Sequence, residues 1–251
     1  MLKENKLSPR VSYLKIIKLK STTSTNDEAY LWAKKGAKEI TVVWAKAQTK
    51  GRGRLGRRWE SPSNKGLYLS FIFKPHIELR RVNLLGMTVA LSVVKALRDI
   101  IELKIKWPND IIVGGKKIGG VLLETETLTR YPAFVIVGLG LNINTPRKYL
   151  PFSATSIFLR IGRKYFLDKI FQLIIKEVII WYRYFKNKKY KKIIKEINKY
   201  LDTVGKNIIV YTNKKKIKGK AYRVGEYGEL YIEDKDGRIK RIFVSEIIHL
   251  R

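Results

Sequence analysis

The chain has 251 residues, 45% of them hydrophobic, and 53 Lys+Arg against 21 Asp+Glu give a formal net charge of +32. That much apolar material fills a core of ordinary size, which excludes a disordered polycation, and zero Cys with only His76 and His249 excludes disulfides, thiol nucleophiles and a zinc cluster. No stretch approaches the about 18 consecutive apolar residues of a membrane span, and MLKENKLSPR lacks a signal-peptide core, so a soluble cytoplasmic protein is expected.

Residues 11–20 (VSYLKIIKLK) and 40–47 (ITVVWAKA) read as strands, the second β-branched and apolar enough to be buried. Between them Thr25 and Glu28 have capping-box spacing and predict a short helix to about Lys35, closed by Gly36. Polar residues 48–65 form a loop, 66–74 (GLYLSFIFK) a strand, and 81–100 carry apolar residues at helical spacing. Strands follow at 103–107, at 110–125 as a hairpin turning on Gly114-Gly115, and at 131–143; helical patterns occupy 153–161 and 165–201. From Gly205 to Arg251 four or five short strands, broken at Asn213, Gly225, Gly228 and Asp236-Gly237, predict a small β-barrel. The expected fold class is α+β, divided into domains 1-202 and 203-251.

Four segments carry chemistry. In Gly51-Arg52-Gly53-Arg54-Leu55-Gly56-Arg57-Arg58-Trp59 the glycines let backbone fold round a ligand, and four arginines free of acids until Glu60 call for an anion among them. Taken alone, this loop leaves open both a carboxylate or phosphate site and an RGG-like, nucleic-acid-binding or merely solvated basic loop. Lys106-Trp107-Pro108-Asn109-Asp110 is an ordinary turn by composition. Lys117 nevertheless follows Asp110 by seven residues across the Gly114-Gly115 hairpin, so the two side chains flank one spot, as an anion site or as a plain surface ion pair. Gly138 and Gly140 share one face of a strand ending at Asn142, where a flat ligand or tight packing would explain them equally. Ser24-Thr25-Asn26 offers two hydroxyls and an amide at a helix start, sufficient for a cap and compatible with binding.

In this order and spacing the segments resemble the biotin protein ligases, strongly from about Ser21 to Asn144 and more loosely beyond. The resemblance implies a mixed β-sheet catalytic domain with helices, of the biotin/lipoate ligase kind, followed by an SH3-like β-barrel. It implies an ATP-dependent enzyme that activates biotin as biotinyl-5′-AMP and transfers it to a lysine of a biotin carboxyl carrier protein. Carried over to this sequence, Ser24, Thr25, Asn26 and Gln48 would meet the ureido ring. Gly51, Arg52, Gly53 and Arg54 would close over the valeryl chain, with Gly120, Gly138 and Gly140 giving close approach to backbone. Lys117 would bridge the biotin carboxylate and the α-phosphate, acting with Arg54 and Asp110 in catalysis. Arg54, Arg57, Trp59, Lys106, Trp107, Asn109, Asp110 and Asn142 would hold ATP and then the adenylate, and Asp110 is the candidate Mg²⁺ ligand.

Two departures matter. The bacterial biotin repressors carry an N-terminal helix-turn-helix domain, and the 23 residues before Ser24 are too few for one, so a monofunctional ligase without operator binding is expected. Leu55 is Arg in some relatives, which removes one cation. A homodimer is implied by the resemblance and by edge strands, and a nucleic-acid partner is disfavoured because the arginines concentrate in one loop followed by KWPND and Lys117. Lys outnumbers Arg 36 to 17, so the remaining excess is read as compositional, with capture of an acidic carrier as a secondary use. Transferases of the same fold use a Cys that is absent here, which leaves the ATP-dependent lipoate ligase as runner-up.

Overall fold

The computed structural model describes residues 14–125, 130–211, 216–243 and 246–249. Strands β1 (Lys15–Leu19), β2 (Thr41–Ala45), β3 (Gly66–Phe73), β4 (Lys104–Lys106), β5 (Asp110–Val113), β6 (Lys116–Thr125) and β7 (Val135–Asn142) form a seven-stranded sheet in the order β1-β2-β3-β7-β6-β5-β4. Only β1 and β2 run parallel, so the sheet is mixed.

Every position of β2 and β3 is buried, because helices cover both faces and there is no solvent side for polar residues to occupy. On one face Val42, Trp44, Leu69, Phe71, Val137 and Leu139 join the apolar cluster of α2 (Val82–Ala96), α4 (Leu167–Lys186) and α5 (Tyr190–Tyr200). On the other, Val43, Ile72 and Ile136 meet Ala29 and Ala33 of α1 (Thr25–Lys34). A helix of 10 residues is about 15 Å long, so α1 covers only part of that face. Gly138, Gly140 and Asn142 continue the Ile136 face beyond its N-terminus.

Several boundaries move from those predicted. Ser24, not Thr25, is the N-cap of α1, its side chain accepting from the Asn26 N–H. The capping box does not form, since the Glu28 carboxylate accepts from Thr22 Oγ1 at 3.0 Å instead. The predicted helix 153–161 shortens to α3 (Ile157–Ile161), capped by Ser156, because Ala154 N closes a turn on the Pro151 carbonyl and Ser153 and Thr155 bond the Lys117 backbone. The continuous pattern over 165–201 is two helices, broken at 187–189 where Lys188 has φ 55°. That break lets the Phe185 and Tyr190 rings meet edge-on at 5.4 Å; no Gly or Pro marks it in the sequence.

The tail forms a second, wholly antiparallel sheet of β8 (Asn207–Tyr211), β9 (Lys216–Val224), β10 (Leu230–Glu233), β11 (Ile239–Ile242) and β12 (Glu246–His249), ordered β11-β10-β9-β8-β12, an SH3-like arrangement. The predicted break at Asn213 and the start of the first predicted strand, 11–13, lie outside the described residues. Ile208, Val210, Val224 and Leu230 share the larger core cluster with α2 and α5, so the two sheets rest on common apolar packing. No described helix is long and apolar enough to cross a membrane.

Candidate active site

A cavity of about 470 Å³ opens where α1 leaves the sheet uncovered, a size suited to a small-molecule substrate. Two glycines make the room. A Cβ on Gly138 would run into the Asn26 amide, and one on Gly140 would run into the Trp59 indole. The bare strand therefore seats Asn26 and Trp59 against its backbone.

The polar end is built on Ser24, Thr25 and Asn26, all buried. Gln48 Oε1 accepts from Thr25 N at 2.8 Å and from Thr25 Oγ1 at 3.0 Å, and its Nε2 donates to Ser61 Oγ at 2.8 Å. Ser70 Oγ lies 2.8 Å from Thr25 Oγ1 and 2.6 Å from Asn26 Oδ1. Asn26 Nδ2 and Trp59 Nε1 are buried without a hydrogen-bond partner. Such groups cost free energy when left orphaned; both residues line the cavity, whereas Trp44 Nε1, orphaned as well, lies in the core away from it.

The charged end lies on β5, β6 and the arginine loop. Lys117 Nζ is 2.6 Å from Asp110 Oδ1, as the hairpin spacing predicted, and 5.5 Å above the Trp59 ring. A Cβ on Gly120 would press on the Lys117 ammonium end. Arg54 donates to Asn109 Oδ1 at 3.1 Å, and burial lowers its pKa against the opposing pull of Asp110. Asn109 in turn donates to the Val121 carbonyl at 2.8 Å, which ties the KWPND turn to β6.

The expectation of four arginines uncompensated except by a bound anion is corrected here. Arg52 donates to both Asp27 oxygens at 2.8 and 2.6 Å and to Glu124 at 3.2 Å, and the Asp27 hydrogen bond leads the effects that raise its pKa. Arg58 pairs with Glu60 at 2.8 Å. Asp27 and Glu124 come from α1 and β6, where a linear reading does not connect them to the loop, and Glu60 lies just past it.

Of the sequence-predicted residues, Ser24, Thr25, Asn26, Gln48, Arg52, Gly53, Arg54, Arg57, Trp59, Lys106, Trp107, Asn109, Asp110, Lys117, Gly120, Gly138, Gly140 and Asn142 all line the one cavity. Gly51 does not line it. A Cβ there would strike the Trp59 carbonyl, Ser61 and Gln48, so this glycine serves loop packing. Trp107 reaches the cavity with little surface, being 1% exposed, and its Nε1 donates to the Gly228 carbonyl of the second sheet at 2.7 Å.

The model of the biotin/lipoate A/B protein ligase family matches residues 17–142, which hold every one of these segments. The bifunctional ligase/repressor BirA of Bacillus subtilis is 32% identical over 231 residues, covering 90% of this chain and 71% of that protein. The chain belongs to the biotin/lipoate A/B protein ligase family. The fold agrees: the biotin protein ligase of Aquifex aeolicus, solved with biotin and ATP, superposes with a TM-score of 0.82 at 31% identity, covering 95% of this chain and all of that one. The biotin--[acetyl-CoA-carboxylase] ligase of Mycobacterium tuberculosis is 31% identical over 143 residues, 54% of this chain and 52% of that protein.

Within this family frame, sequence reading overlooked Ser70, Ser61, Asp27 and Glu124. Ser70 had one signal, a lone hydroxyl in the fully buried strand GLYLSFIF. Ser61, Asp27 and Glu124 had none, because their partners are 13, 25 and 72 residues away.

Proposed function

We propose that this protein is an ATP-dependent biotin protein ligase that forms biotinyl-5′-AMP and transfers biotin to a lysine of a biotin carboxyl carrier protein. The observation that carries the reading is one cavity with the hydroxyls and amides of Ser24, Thr25, Asn26 and Gln48 at one end and the cations Lys117 and Arg54 at the other. A neutral polar head and an acidic tail on one small molecule match those two ends.

In the first step a biotin carboxylate oxygen attacks the α-phosphorus of ATP; a C–O–P link forms, the Pα–O–Pβ bond breaks, and pyrophosphate leaves. Two anions must approach, so the main catalytic need is positive charge fixed where charge builds up. Lys117 bridges the carboxylate and the α-phosphate, and Arg54 adds the second cation. Ser24, Thr25, Asn26 and Gln48 orient the ureido head, with Ser70 and Ser61 holding their rotamers. Arg52, Gly53 and Arg54 close over the chain, while Arg57, Trp59, Lys106, Asn109, Asp110 and Asn142 receive the nucleotide. Trp107 acts from behind as a positioning residue for the KWPND turn.

In the second step a neutral lysine amine of the carrier attacks the mixed anhydride carbonyl, an amide forms and AMP leaves. The loop keeps water from the anhydride meanwhile. ATP brings Mg²⁺ with it. Asp110 is the residue that would hold the ion, which would supply further positive charge to the phosphates.

The proposal extends to a division near residue 203, to a cytoplasmic enzyme, where ATP is available, and to a homodimer. Support for the division is the separate hydrogen bonding of the two sheets. The site reading is tested by isotope exchange between pyrophosphate and ATP. Exchange that depends on biotin is expected; exchange supported by lipoate and not by biotin overturns it.

A further inference from the structure

Phe152 is 87% exposed, more than any other large apolar side chain among the described residues. Single exposed apolar residues are common and need no partner. This one is not isolated, since Leu55 (71% exposed) and Tyr149 (37%) stand at the same cavity mouth, and Pro151 and Ser153 on either side of Phe152 line that cavity. Nor is it on a loose loop. Lys117 N donates to the Ser153 carbonyl at 3.0 Å, and Thr155 N donates back to the Lys117 carbonyl at 2.8 Å. Arg147 fastens the segment from below, donating to the Ala154 carbonyl at 2.9 Å and the Leu150 carbonyl at 2.6 Å. A benzyl group is thus presented to solvent from a fixed backbone, two residues from a backbone bridge to Lys117.

The surroundings are cationic. Lys116 Nζ lies 4.7 Å from the Phe152 ring and Lys148 Nζ 5.2 Å from that of Tyr149, and residues 143–155 contain no acid. Resting on the ligase reading above, we propose that the ledge 147–153 is the docking surface for the acceptor carrier domain, with Phe152 as its apolar anchor and Lys116 and Lys148 selecting an acidic partner. A macromolecule that delivers a lysine into this cavity must lie across its mouth. An aromatic side chain on a fixed backbone gives apolar contact area there with only two side-chain torsions to order. A second copy of this chain fits poorly on this face, because its own ledge is equally cationic.

The test compares the full chain with Phe152→Ser, Phe152→Leu and the double variant Lys116→Glu/Lys148→Glu, none of them a residue placed in the site. The substrate is an apo carrier domain, and hydroxylamine serves as a small nucleophile that needs no docking. Phe152→Ser should raise the carrier KM about tenfold, equivalent to ~1.4 kcal/mol, with kcat, biotin-dependent pyrophosphate exchange and hydroxamate formation unchanged. Phe152→Leu should recover most of the loss, and the charge variant should lose its KM effect at high salt. An unchanged carrier KM in Phe152→Ser overturns the ledge, as does an equal loss with hydroxylamine or a change in self-association alone. Absence of biotin-dependent exchange in the unaltered chain overturns the ligase reading itself, a different result from normal exchange with unchanged KM.

Discussion

Lys117 and Asp110 face each other at 2.6 Å on neighbouring strands, both about one-third exposed, so neither holds the fold together and their pairing is free to exchange for substrate. Lys117→Ala should therefore leave circular dichroism and the melting temperature nearly unchanged while slowing adenylate formation by about 10²-fold or more; pyrophosphate release near the normal rate would contradict its bridging role. Asp27 and Glu124 act through Arg52, fastening the first half of the arginine loop to α1 and β6. Partly exposed pairs are worth little, about 0–1 kcal/mol each. Asp27→Asn with Glu124→Gln should then release the adenylate only a few-fold faster, seen in chase experiments and in modification of unrelated lysines, whereas slower escape would contradict the clasp. At this scale the reading from sequence did well where spacing is local. Asp110 and Lys117 are joined by one hairpin, and Ser24 to Asn26 by one helix start. It failed where charge is balanced through space, since Arg52 finds its acids on two other elements.

Elements position these groups by what they omit. Helix α1 stops short on the sheet, and β7 supplies Gly138 and Gly140 where any side chain would displace Asn26 or Trp59. Gly138→Ala should weaken biotin binding at least about tenfold by calorimetry, because the amide that moves is the orphaned donor, and unaltered affinity would show that Asn26 is not a contact. On the opposite face, Lys95 of α2 and Lys199 hold the Glu196 carboxylate of α5 at 2.5 Å, and these hydrogen bonds, Lys199 first, pull its pKa down to about 2. The folded value lies below the ordinary carboxylate value, so the stability it contributes is present above about pH 4.5 and lost as pH falls towards 2. A Glu196→Gln variant should show a shallower fall of melting temperature across that window; parallel curves would contradict the linkage. Strands were legible because alternation or continuous burial betrays them. The break between α4 and α5 was not, since both helices bury the same kind of face and the polar 187–189 turn contains neither Gly nor Pro.

At the scale of the molecule the second sheet is joined to the site, not merely appended. Trp107 donates to Gly228, its backbone N–H donates to Thr203 Oγ1 at 3.0 Å, and Gly228 packs so closely on the start of α2 that a Cβ would press on the Leu84 backbone. Gly228→Val, strained also by a φ of +81°, should lower stability and raise the KM for ATP together; normal ATP kinetics in a destabilised variant would uncouple the sheet from the KWPND turn. The net charge of +32 divides accordingly. Arg54 and Lys117 line the cavity, Arg52 and Arg58 are matched by acids, and most of the lysines lie outside the site. The most direct measurement of the account is intact-mass analysis of an apo carrier domain incubated with this protein, ATP, Mg²⁺ and biotin. A single biotinyl addition on one carrier lysine, dependent on ATP, is the predicted result; an unmodified carrier, or one that takes lipoate in place of biotin, would contradict it.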